Sequence, residues 1–347
     1  MITNIVTLYG EFNYGNRLQN YALQVALESL GCDVKSIVVI QNKSRMKRFL
    51  KRYIEKNGKR ITLRDKKERR REENFSAFTQ KTIKTEYYYE TSGQIPSEAG
   101  HADCYVVGSD QVWNPLFWDD SDDAPELFNF LLSFTKKRKV AYAASFGISK
   151  LPKRWMERLR PLINEFDAIS VRENDAANIV SDFGKTAEVV LDPTLLLTAK
   201  EWRKVESHII KASGDYILLY FLGKKPDNLK FEEEVHVIDL LDKDSSWYTS
   251  GPEVFIELID KAGLVYTDSF HAVVFSMIFH TPFVVFNREH SNKSDMSGRI
   301  KTLLEIAGMN GGISREKHII NYPADYNDDR ISFKRERSVE FLRSALS

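Results

Sequence analysis

The chain has 347 residues, and its 50 Lys and Arg against 49 Asp and Glu leave a formal net charge of +1. That balance argues against a general nucleic-acid binder. A hydrophobic fraction of 42% supports packed cores over a length sufficient for two ordinary domains, and two cysteines, Cys32 and Cys104, exclude a disulfide framework and a cysteine-rich zinc site.

The opening MITNIVTLYGEF has no basic leader and no long apolar run, so Ile2–Leu8 reads as a first strand rather than a signal peptide. A turn with two glycines, Tyr9–Gly15, follows. Leu18, Ala22, Val25, Ala26 and Leu30 then recur at helical spacing, and Gly31 sits where a C-terminal cap belongs. Val34–Ile40 is a second strand, which completes a βαβ unit with parallel strands. Residues 43–72 break this pattern with dense Lys and Arg. Met46, Phe49, Leu50, Tyr53 and Ile54 fall on one helical face there. Such a basic amphipathic helix suits an anionic membrane surface or an acidic partner, while its plain reading is a solvated insertion with an apolar contact face.

After the aromatic Tyr87–Tyr89, alternation resumes. Strands are expected at Cys104–Val107, Lys139–Phe146, Ala168–Arg172 and Val189–Leu191. Helices are expected at Glu126–Phe134, Trp155–Phe166 and Asp175–Phe183. A linker and a helix over Leu195–Glu206 lead to a second series. Its strands are Tyr216–Leu222, Val235–Leu240, Leu264–Tyr266 and Phe283–Phe286. Its helices are Pro252–Ala262, Phe270–His280 and Arg299–Ala307, and Ser338–Leu346 forms a last helix packing back across the molecule. The longest apolar stretch, Phe270–Phe279, falls short of the ~20 residues that span a bilayer. The expected location is cytoplasmic, with peripheral contact at the inner membrane face as the option offered by the basic segment.

Two α/β series predict two Rossmann-like domains facing a cleft: residues 1–190, carrying a basic insertion at 43–85, and residues 191–330, with 331–347 crossing back. In parallel sheets, ligands bind beyond the carboxyl ends of the strands. The polar groups predicted there are Tyr14-Gly15-Asn16, Ser109-Asp110-Gln111, Ser145-Phe146-Gly147, Arg172-Glu173, Asp268-Ser269-Phe270-His271 and Asn287-Arg288. No GxGxxG or GxxxxGK[ST] run is present, and His208, His236, His290 and His318 lack metal spacing.

Taken in order, NYGNRLQNYALQ (Asn13–Gln24), VVGSDQVWNP (Val106–Pro115), AYAASFG (Ala141–Gly147), SVREND (Ser170–Asp175), LDPTLL (Leu191–Leu196) and TDSFHAVVFSMIF (Thr267–Phe279) resemble the polysaccharide pyruvyl transferase family. The resemblance runs from about residue 1 to about 307. It implies a GT-B-like fold and transfer of pyruvate from phosphoenolpyruvate to a pair of sugar hydroxyls, with phosphate released. The implied acceptor belongs to a cell-surface polysaccharide or its lipid-linked precursor. The family's donor-associated histidine and arginine match His271 and Arg172. Some members carry arginine two residues before that histidine; Ser269 stands there, so Arg288 or Arg299 is expected to supply the missing cation.

On this reading His271 is the general acid or a phosphate-stabilising group, and Asp110 the general base. Arg172, Ser269, Phe270, Arg288 and Arg299 form the donor side, because a planar guanidinium and a helix N-terminus suit carboxylate and phosphate. Tyr14, Gly15, Asn16, Gln111 and Trp113, the last stacking on a sugar face, form the acceptor side. No metal or cofactor is expected. Two other functions fit: a nucleotide-sugar glycosyltransferase on the same fold, and a non-catalytic protein binding a membrane surface or acidic polymer through its basic segment.

Overall fold

The computed structural model describes residues 1–10, 12–41, 63–118, 124–211, 214–227, 229–286, 296–309, 320–322 and 328–347. The first half runs β1 (Ile2–Val6), α1 (Tyr14–Ser29), β2 (Asp33–Gln41), α2 (Leu63–Thr82), β3 (Thr85–Glu90), β4 (Cys104–Asp110), α3 (Pro125–Phe130), β5 (Arg138–Ala144), α4 (Lys153–Ile163), β6 (Ala168–Val171), α5 (Asn174–Asp182) and β7 (Glu188–Val189). The second runs α6 (Ala199–Trp202), β8 (Tyr216–Tyr220), β9 (His236–Asp239), α7 (Pro252–Lys261), β10 (Leu264–Thr267), α8 (Phe270–Phe279), β11 (Phe283–Val285), α9 (Met296–Ile306), β12 (Ile320–Tyr322) and α10 (Asp328–Leu346).

The first sheet has the order β3-β2-β1-β4-β5-β6-β7, with every pairing parallel. The second has the order β12-β11-β10-β8-β9 and is parallel except for β12. Each is a doubly wound sheet whose strand order reverses once, between β1 and β4 in the first and between β8 and β10 in the second. Helix α10 returns to the first half. The Ser338 hydroxyl accepts from the Leu191 backbone N–H at 3.0 Å, Arg335 donates to the Leu195 carbonyl, and Phe341 packs on Tyr142 of β5.

Three departures from the expected elements have physical causes. Tyr87–Tyr89 lies in an edge strand, β3, whose period-two pattern is masked because both faces carry aromatics. Helix α10 begins ten residues earlier than expected, with Asp328 and Asp329 placed against the positive end of its dipole. Of the basic insertion, residues 42–62, which carry the expected apolar face, lie outside the described residues. Helix α2 starts at Leu63 and is tied to the second half: Asn74 donates to the Thr249 carbonyl, and Lys243 pairs with Glu68.

The halves share a continuous core around α1. Tyr14 stacks on Phe255 of α7 with 4.5 Å between ring centroids and 4° between planes, and it also meets the rings of Phe75 of α2 and Tyr220 of β8. Its hydroxyl donates to the Ser250 carbonyl at 2.9 Å. Trp202 joins Tyr21 of α1 to Phe275 of α8. Tyr14 is thus a rivet between the halves. Tyr14→Ala is expected to cost about 3–5 kcal/mol through the cavity left behind. Tyr14→Phe should cost about 1–3 kcal/mol by orphaning the buried carbonyl. Urea denaturation checks both, and a Tyr14→Phe protein as stable as the parent would exclude the hydrogen bond as a contributor.

Candidate active site

Each sheet reverses strand order where a ligand site is expected, since loops at that point diverge and leave a crevice. In the first half, the segment after β1 with the first turn of α1 supplies Tyr9, Gly10 and Asn16, and the end of β4 with the segment after it supplies Asp110 and Gln111. In the second, the segments after β8 and β10 supply Leu222, Gly223, Asp268, Ser269 and His271. Asp268 seals its own crevice by accepting from the Leu222 and Gly223 backbone N–H groups, both at 2.7 Å. The two crevices meet where α8 abuts α1. A Cβ on Gly15 would lie 2.1 Å from His271 Nδ1, so the imidazole of one half rests directly on the first turn of the other.

Arg172, at the end of β6, is the centre of the cluster. Its Nη1 donates to Asp192 Oδ2 at 2.8 Å and its Nη2 to Asp110 Oδ1 at 3.3 Å, while its guanidinium carbon sits 4.5 Å from the Phe270 ring centroid. Glu173 Oε2 stands 3.8 Å from Arg172 Nε. Asp192 also accepts from Ser109 Oγ at 2.7 Å and from both the hydroxyl and the N–H of Thr194. Asp110 accepts from Asn16 Nδ2. At φ 68° it lies in the left-handed region, which Asp tolerates because its carboxylate caps a neighbouring N–H, here that of Gln111 at 2.9 Å. Gly108, two residues earlier, cannot be replaced without a clash: a Cβ there would stand 2.2 Å from the Tyr142 carbonyl oxygen. With the Gln111 amide oxygen facing Arg299, the arginine's Nη1 and Nη2 donate at 2.9 and 3.1 Å.

Every charged member of this cluster is buried. Burial pushes the Asp192 pKa up, but His271, Arg172 and the Thr194 and Ser109 hydrogen bonds outweigh it and hold the group at about 2. Asp110 is likewise lowered against its burial, by Arg172, His271 and Arg299. For Glu173 burial prevails over Arg172 and Arg299, and its pKa is raised. For His271 burial also prevails: its pKa is lowered although Asp192 and Asp110 pull it up. The imidazole is therefore neutral at neutral pH, where the charge holding the two aspartates ionised is that of the arginines. His271 adds to it only once acid protonates the ring. Its Nε2 is buried without a hydrogen-bond partner, 3.8 Å from Asp192 Oδ2. Helix α8, which carries His271 in its first turn, opens at Ser269 without a side-chain cap. Its leading N–H groups and dipole favour an anion there.

The structure brings together His271, Asp110, Arg172, Ser269, Phe270, Arg299, Gly15, Asn16 and Gln111. Arg172 differs from the expected open donor clamp, because both Nη groups are already engaged by aspartates. Two acceptor expectations are corrected. Trp113 is fully buried between Phe146 and Phe166, with its indole N–H donating to the Phe130 carbonyl, so it has no ring face for a sugar. Tyr14 is the buried rivet described above. Arg288 lies outside the described residues. Asp192 completes the cluster without having been expected in it, and Glu173, read beside Arg172 at the end of its strand but given no role, joins it. The Leu191-Asp192-Pro193 run reads as a turn, and the one signal available was its place after a strand. Among the described residues, no group of three or more His, Cys, Asp or Glu is arranged to hold a metal ion, and no helix is long and apolar enough to cross a membrane.

Two doubly wound units joined over a buried Asp–Arg–Asp–His cluster define an α/β protein with a polar site where its halves meet. The family model described as polysaccharide pyruvyl transferase matches residues 13–290, and the chain belongs to that family. No curated protein sequence matches. Among solved structures, an uncharacterised protein from Klebsiella pneumoniae is similar at 10% identity, covering 89% of each chain with a TM-score of 0.45. The UDP-GlcNAc 2-epimerase of Neisseria meningitidis, solved with UDP-GlcNAc, is similar at 10% identity over 98% of this chain and 99% of its own, with a TM-score of 0.44. An Arabidopsis thaliana protein, UGT89C1, solved with UDP-L-rhamnose, is similar at 9% identity over 98% and 94%, with a TM-score of 0.45.

The depressed Asp192 gives a stability prediction whose sign is fixed. Its folded pKa of about 2 lies below the ordinary 3.8, so the unfolded chain binds the proton first on acidification. The stability it confers, roughly 2 kcal/mol, is full above the ordinary value and is lost as pH falls toward the folded one. Urea denaturation across that window should show this slope, and Asp192→Asn should flatten it while lowering stability overall. An unchanged slope in Asp192→Asn would show that another group carries the acid response.

Proposed function

We propose that the protein transfers pyruvate from phosphoenolpyruvate to two hydroxyls of a saccharide, forming a cyclic ketal and releasing phosphate. The acceptor in this reading is a cell-surface polysaccharide or its lipid-linked precursor, and the reaction proceeds on the cytoplasmic side without a metal or cofactor. The observation that carries the reading is His271: buried, lowered in pKa by that burial, without a hydrogen-bond partner at Nε2, and set at an uncapped helix N-terminus between the halves.

A donor with a carboxylate and a phosphate brings negative charge to the groups able to answer it: the first turn of α8, Arg299 and His271 itself. That charge raises the imidazole's affinity for a proton, so donor binding and His271 protonation reinforce each other. The protonated ring then delivers its proton to the methylene carbon, and C2 acquires oxocarbenium character. A sugar hydroxyl adds to C2 as its proton passes to Asp110, which the arginines keep ionised. The second hydroxyl then attacks C2, the bond to the phosphate oxygen breaks, and phosphate leaves with that hydroxyl's proton. Arg172 acts in this scheme as the positioning residue that holds Asp110 and Asp192 near the imidazole.

His271→Gln should lower phosphate release about 10²–10⁴-fold. Calorimetry in buffers of different ionisation enthalpy should show proton uptake on donor binding near neutral pH, and His271→Gln should abolish it. Undiminished release by the variant would refute the role. Product mass separates ketal formation, which adds pyruvic acid less water, from transfer of a whole sugar.

A further inference from the structure

Beside the buried cluster, on the side of the first half alone, a groove of about 380 Å³ opens to solvent. Its polar end is made by Asn16 and Gln111, two residues that also belong to the cluster. Asn16 holds Asp110 and Gln111 faces Arg299, so a molecule in the groove reaches the reacting centre at that end. The rest of its wall includes Tyr9, Phe117, Trp118 and Glu126.

Two features of this wall are left unmet by the packing around them. Phe117 leaves 50% of its surface in water although it stands in a fold with large buried cores. Glu126 has a carboxylate oxygen, Oε2, that is buried without a hydrogen-bond partner, and such a group is costly to leave unmet. Tyr9 in turn is held in place from outside the groove. The Arg17 guanidinium lies 3.6 Å from its ring centroid, and its hydroxyl meets that of Tyr87 at 3.2 Å. Fixed aromatic faces, amides and one carboxylate acceptor, in a groove within the roughly 300–1,000 Å³ range of small-molecule sites, suit a pyranose. The ring's C–H face packs on an aromatic surface, and its hydroxyls donate to carboxylate and amide oxygens. Glu126 is the only charged side chain among the described lining residues, and it repels an anion.

We propose that this groove binds the acceptor as an uncharged saccharide, stacked on Phe117 and hydrogen-bonded to Glu126, with its hydroxyl pair presented toward Asp110 and His271. The assignment of the occupant as acceptor rests on the pyruvyl-transfer reading. The saccharide chemistry of the groove does not.

The test measures sugar and donor separately. Neutral galactosyl, mannosyl and N-acetylglucosaminyl oligosaccharides, with uronic-acid counterparts, are titrated into the full chain without donor. The thermal shift with phosphoenolpyruvate is recorded in parallel. The parent protein should bind at least one neutral saccharide and prefer it to its uronate. Phe117→Ala and Glu126→Gln should each weaken that binding about tenfold and leave the phosphoenolpyruvate shift intact, which also shows that they fold. The proposal is overturned if no neutral saccharide binds a protein that still responds to the donor. It is equally overturned if both variants keep the parent's affinity, or if uronates bind better. Saccharide binding that depends on Phe117 and Glu126, with no response to phosphoenolpyruvate, would uphold the groove and sink the donor assignment instead.

Discussion

The site depends on one buried guanidinium answering two carboxylates at once. Taking Arg172, Asp110 and Asp192 out of water costs several kcal/mol per ion, and attraction in a low-dielectric interior offsets this only if the remaining lone pairs are also met. The fold meets them from separate places. Ser109 and Thr194 serve Asp192, and Asn16 and the Gln111 N–H serve Asp110. These partners come from β4, the segment after β7, the first turn of α1 and the segment after β4. The cluster therefore forms only when the first sheet is assembled in register with α1 on its face.

That dependence explains why α1 carries so much of the structure. Its first turn presents Gly15 to the imidazole and Asn16 to Asp110, and its body is clamped between the sheets by Tyr14 and Tyr21. One helix sets the spacing between halves and the spacing between His271 and the aspartates. A rigid junction of this kind fixes the side chains facing each other across it more closely than a cleft lined by loops would.

Much of this architecture was legible in the amino-acid order because parallel strands buried on both faces read as unbroken apolar runs, and polar residues at their ends stand out against them. His271, Asp110 and Arg172 are visible on that ground. Asp192 is not, since an aspartate before proline has the same sequence appearance whether it caps a turn or anchors an arginine. The aromatics failed for a related reason. Trp113 and Tyr14 sit beside polar motifs and look like ligand contacts, yet both fill the core, while Phe117, with no motif to mark it, faces solvent. Which side of a backbone an aromatic occupies at an irregular strand end is settled by loop geometry, and no periodicity records it. Edge strand β3 was missed because an aromatic on each face erases the alternation that marks a half-buried strand.

The charge arrangement also constrains how chemistry at this site can be timed. A permanently protonated histidine would sit beside two ionised aspartates as a third member of a satisfied salt cluster, with little tendency to give up its proton. Burial opposes that by holding the imidazole pKa below its ordinary value. In the proposed reaction an incoming anion is the event that loads the acid, while Asp110 and Asp192 already answer Arg172. The two halves divide the work accordingly. The second half contributes the uncapped helix terminus and the buried imidazole. The first contributes the fixed carboxylate of Asp110 and the aromatic groove beside it. Because the ring of one half lies against the glycine of the other, neither set can shift without displacing its counterpart.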